Sequence, residues 1–70
     1  MNKQELLKKL QALKDAADNL SYELWSAEDA LIDLRPDNFT KYETDLSSAA
    51  IDMDEVAGKI SGIINQLTKL

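Results

Sequence analysis

Apolar residues recur through the first half of this chain at alternating intervals of four and three: Leu6, Leu10, Leu13, Ala17, Leu20, Leu24, Ala27, Leu31 and Leu34. The second half repeats the pattern with Phe39, Tyr42, Leu46, Ala49, Met53, Val56, Ile60, Ile63, Leu67 and Leu70. The two runs are separated by Arg35-Pro36-Asp37-Asn38, which holds the only proline. A repeat averaging about 3.5 residues is the period of a coiled-coil seam, shorter than the ~3.6 of an ordinary surface helix. The spacing predicts helices over 2–34 and 39–69 joined by a turn over 35–38. A turn this short makes the helices antiparallel neighbours. The expected fold is therefore all-α, a coiled-coil-like two-helix hairpin in one domain spanning 1–70.

Local signals agree with these limits. Asn2 followed by Glu5 reads as a capping box, which satisfies backbone N–H groups lacking a helical acceptor. Pro36 disfavours helical geometry at Arg35 and ends the first helix near Leu34. Asp37 or Asn38 is placed to cap the second helix, with Thr40 and Glu43 as a later alternative. Folding at the turn pairs Leu34 with Phe39, Leu24 with Ala49, Leu20 with Met53, Ala17 with Val56 and Leu6 with Leu67. The same register holds from turn to termini. Small side chains meet large ones in the middle layers, which suits dense packing.

One seam is thin support for 70 residues, because a small chain has little core to offset its conformational entropy. A second contact surface is therefore expected. Beside the seam of the second helix run Ala50, Ala57 and Ile64, and Leu7 lies on the same side of the first helix. This small, uncharged flank is the expected dimer interface, closing a four-helix bundle from two hairpins. Gly58 and Gly62, four apart, would also permit close helix approach. Farther around the first helix lie Tyr22, Trp25 and Ile32, with Asp29 among them. They form the expected partner-binding patch, since aromatic residues are favoured interface anchors. Ile51 is a weaker outward candidate.

Composition narrows the chemistry. The chain has no cysteine and no histidine, so disulfides, thiolate zinc sites and the commonest general base are missing. Neither a glycine-rich phosphate loop nor a calcium loop is present, and Ser47 and Ser48 have no base to activate them. The expectation is a non-enzymatic protein with no metal and no cofactor. No apolar run approaches the ~20 residues of a membrane span, and the charged N-terminus is unlike a signal peptide. A cytoplasmic, non-membrane protein is expected.

The net charge of −5 disfavours general nucleic-acid binding. Its distribution is uneven. Residues 1–14 carry Lys3, Lys8, Lys9 and Lys14 against Glu5, residues 56–70 add Lys59 and Lys69, and residues 15–55 hold twelve acids against Arg35 and Lys41. In a hairpin the basic residues gather at the termini end and the acids toward the turn. Acids around Tyr22 and Trp25 suit a basic protein partner, because charge steers the encounter and apolar anchors hold it. The leading expectation is a small acidic interaction module, an adaptor or inhibitor. Alternatives are a self-assembling structural bundle, a nucleic-acid binder using the basic termini, and an acidic nucleic-acid mimic of phage or plasmid type dependent on Asp29, Asp33 and Asp45. In outline the chain resembles plasmid copy-control dimers and the co-chaperones and needle subunits of type III secretion. That likeness rests on length and a mid-chain turn, and it transfers no residue roles.

Overall fold

The structure is a computed structural model that describes residues 2–70. It contains two helices, α1 (Lys3–Leu34) and α2 (Phe39–Thr68), and no strand among the described residues. They fold back on each other as an antiparallel hairpin, a rod with Cα extents of 52 × 14 × 14 Å. The helix limits fall within a residue of those the spacing predicts.

Asn2 caps α1, its side-chain oxygen accepting the Glu5 N–H at 2.9 Å. Arg35 ends the helix in the left-handed region, at φ 49° and ψ 60°, and its N–H donates to the Leu31 carbonyl at 3.0 Å. Proline does push this residue out of the helix, but into the left-handed conformation instead of the extended one. That geometry costs a non-glycine residue roughly 1–2 kcal/mol, and it turns the chain sharply enough to start α2 four residues later. Asn38 occupies the cap position of α2 without a side-chain cap bond. The first turn is closed by backbone instead: the Phe39 N–H donates to Pro36 O and the Tyr42 N–H to Asn38 O, both at 3.1 Å. Thr40 and Glu43 lie inside the helix, so the later capping box is not used.

The seam differs from the expected one by one row on each helix. Its central rows are as expected: Leu10, Ala17, Leu24 and Leu31 on α1, and Phe39, Leu46, Met53, Ile60 and Leu67 on α2, all buried or half-buried. The companion rows are Leu7, Lys14, Ser21 and Glu28 on α1 and Glu43, Ala50, Ala57 and Ile64 on α2, again buried or half-buried. Ala50 is wholly buried (0% exposed), and the most buried positions are Ala17, Ser21, Ala50 and Ala57. Ser21 Oγ lies 3.4 Å from the backbone oxygen of Ala50. A serine side chain is short, so the two backbones run close at this layer. Small residues line the seam because only they permit that approach.

Ala50 and Ala57, expected at a dimer interface with Leu7 and Ile64, thus face the other helix of the same hairpin. They are the centre of the fold and are not free to meet a second molecule. The paired glycines lie elsewhere: a Cβ built on Gly58 or Gly62 meets nothing within 4 Å, so neither supports a close helix approach within the hairpin.

Candidate functional site

Shifting the seam by one row leaves a row of each helix uncovered. On α1 it is Leu6, Leu13, Leu20, Ala27 and Leu34; on α2 it is Tyr42, Ala49, Val56 and Ile63, with Leu70 just past the helix end. Of these ten only Leu6 and Ala49 are half-buried, and the rest are exposed; Leu20 keeps 48% of its surface. Each row precedes its buried companion row by one residue, so it lies on the same rotational side when its own helix is viewed from N- to C-terminus. Because the helices are antiparallel, this brings both rows to one edge of the rod. The Leu13 edge is therefore a continuous strip of aliphatic and aromatic side chains, with no charged residue in either row.

The opposite edge is polar where the helices meet. Ser21 Oγ donates to Asp54 Oδ1 at 2.7 Å, and Ser47 Oγ donates to Glu28 Oε2 at 3.1 Å. These bonds cross between the helices and fix their register. A polar group at a seam position pairs best in one alignment, whereas leucines tolerate sliding. Ser21, Glu28 and Ser47 carried a recognisable signal, since they interrupt or flank an otherwise apolar stripe. Their bonding partners became legible only with the seam in place.

The expected partner patch lies on and beyond this polar edge. Tyr22 is 70% exposed and Trp25 41%; Asp29 and Ile32 are also exposed. None joins the hairpin core, as the helical wheel predicts. Ile32 borders a hollow at the turn, lined also by Arg35 and Phe39. The aromatic patch and the Leu13 edge are separate surfaces, because the seam lies between them on α1. Ile51 is exposed on the outer side of α2.

Charge follows the expected gradient. Lys14 Nζ donates to Asp18 Oδ2 at 2.8 Å, and that bond with the Asp18 charge holds the ammonium pKa above its ordinary value. Lys41 pairs with Asp45 at 3.1 Å. Both are i,i+4 pairs open to solvent, the first through a half-buried Lys14, a kind worth a few tenths of a kcal/mol. Among the described residues no group of three or more acids, histidines or cysteines is placed to hold a metal ion. No described helix is long and apolar enough to cross a membrane. Compared with protein-family models, curated proteins and solved structures, the chain matches none.

Proposed function

We propose that this hairpin is a non-enzymatic protein–protein interaction module whose working surface is the Leu13 edge. The observation that carries this reading is the uncharged apolar strip left open along the rod. Leu13, Leu20, Val56 and Ile63 stay largely in water here while Ala17, Ala50 and Ala57 take the most buried positions of the seam, the reverse of the usual preference. A contiguous exposed apolar strip marks an interaction site. On α2 three adjacent rows are largely apolar, the pattern of a bundle helix, not of a two-stranded seam. The complement is another pair of helices, and the product is a four-helix bundle.

A photo-crosslinking residue at Val56, compared with one at Gly62 on the outer side of α2, tests the reading in cells. A discrete adduct from position 56 and none from position 62 is the expected result. Equal labelling from both positions, or none from either, would overturn it.

The aromatic patch supports a second role, capture of a basic partner by an acidic adaptor. Tyr22, Trp25 and Ile32 stand outside the hairpin core, Asp29 lies among them, and a hollow beside Ile32 could receive an inserted side chain. Trp25→Ala should then abolish capture of the partner and leave helicity intact. Loss of helicity instead would place Trp25 in a structural contact and end this second reading.

A further inference from the structure

We infer that the occupant of the Leu13 edge is a second copy of this chain, packed antiparallel so that the two turns lie at opposite ends of the bundle. This rests on the reading of that edge as a docking surface.

Size is the first support. The uncovered strip lies along one face of a rod 52 Å long and 14 Å across, and that whole face has a footprint on the order of the ~800 Å² per partner of a stable interface. A single free helix would cover one row and leave the other in water. A second hairpin covers both.

Charge decides the orientation. The residues bordering the strip on its outer sides are exposed: Lys9 and Glu23 on α1, and Asp45, Asp52 and Lys59 on α2. Two hairpins can face each other about a two-fold axis in two ways. With the turns together, α1 lies over α2 of the second copy at equal depth. Lys9 then meets Lys59, and Glu23 meets Asp45 and Asp52, so like faces like. With the turns apart, each helix lies over its own counterpart, reversed. Lys9 then meets Glu23, and Lys59 meets Asp52 with Asp45 farther along, so opposites face throughout. Juxtaposed like charges at a rim select against an arrangement, and complementary ones fix register.

The apolar rows accept the same register. Aligning Lys9 with Glu23 sets Leu13 against Leu20 of the other copy, and Leu6 against Ala27. On α2 it brings Val56 over its own equivalent, and Ala49 against Ile63. Large side chains meet small ones in the Leu6–Ala27 and Ala49–Ile63 layers, as interdigitation favours. A symmetric pairing also covers both exposed rows, Leu34 apart, with one contact type, because a two-fold interface uses the same patch on each copy.

The test is a charge exchange read by sedimentation equilibrium. Lys59→Asp alone sets acids against Asp52 and Asp45, and Asp45→Lys with Asp52→Lys sets lysines against Lys59. Each variant should self-associate at least tenfold more weakly than wild type. An equimolar mixture should recover wild-type affinity as a heterodimer, because every facing pair is then opposite. These residues are exposed, so the hairpin itself is preserved. Orientation is read independently by spin labels on Asp37→Cys, the native chain having no cysteine. Turns apart place the labels on the order of 50 Å from each other, and turns together bring them within about 20 Å.

A dimer with the short label distance, or a mixture that fails to recover, overturns the antiparallel arrangement while leaving the edge as a docking surface. Wild type that stays monomeric at millimolar concentration overturns the second copy as occupant. The mass of the adduct at Val56 then decides the interaction reading on its own.

Discussion

The two edges of this hairpin are built from neighbouring rows of the same helices, yet they do opposite work. On one edge, Ser21, Glu28, Ser47 and Asp54 tie α1 to α2 with hydrogen bonds of 2.7 and 3.1 Å. On the other, Leu13, Leu20, Val56 and Ile63 remain exposed. Between them, the seam is lined at its tightest point by Ala17, Ser21, Ala50 and Ala57. The division shows how a short chain can hold its fold and still leave one row of large apolar side chains open on each helix. Small residues let the backbones approach, and polar groups at the margin select one alignment. The leucines of the Leu13 row, which would stabilise several alignments equally, lie mostly outward, where they can add stability only by meeting another surface.

The sharpest way to break this contrast is to put one charge in each row. Ala50→Lys forces an unpaired ammonium into a wholly buried position between the helices. Such a burial costs on the order of 3–5 kcal/mol, more than a two-helix core can spare. Loss of the helical circular dichroism signal at all concentrations is the expected outcome, and a folded Ala50→Lys variant would show that the seam is misplaced.

Val56→Lys makes the same kind of change on the open edge. Half-exposed lysine is tolerated within a hairpin, so its intrinsic cost should be below about 1 kcal/mol. What should vanish is the dependence of the thermal midpoint on protein concentration, which the wild type shows if folding is linked to association. A midpoint that still rises with concentration in Val56→Lys would move the interface elsewhere.

Ser21→Ala probes the polar edge. It removes the bond to Asp54 and keeps the small volume, so a loss of about 1 kcal/mol is expected in chemical denaturation. An unchanged midpoint would mean that the Ser21–Asp54 bond contributes nothing to register or stability.

Gly58→Ala and Gly62→Ala carry the smallest expected effect, and it is favourable. An added Cβ meets open space at both positions, and alanine is the better helix former by about 1 kcal/mol per site. Each should raise the thermal midpoint without altering assembly. A lowered midpoint would reveal a close approach at the outer side of α2 that the hairpin alone does not contain.

The sequence by itself determined the number, length and antiparallel course of the helices. Interval spacing, Asn2 at one end and Pro36 in the middle were sufficient, because these features act locally through backbone geometry and capping. It also set the register, since the paired layers remain aligned when the seam rotates. What it left open was which of two companion rows joins Leu24 and Met53 in the seam. The Leu13 and Ser21 rows have the same seven-residue period, as do the Val56 and Ala50 rows, so periodicity is blind to the choice. Hydrophobicity favours the wrong one, because it weighs Leu20 above Ser21 and Val56 above Ala50.

The tertiary structure decided the matter through two properties that exist only between helices: how closely the backbones approach, and whether a serine on one reaches a carboxylate on the other. The outward position of Tyr22, Trp25, Asp29 and Ile32 was readable from the wheel, since it depends on angle alone. The assignment of Leu7, Ala50, Ala57 and Ile64 to a second interface was not, because rotating each helix by one row exchanges the inside of the hairpin with its open edge.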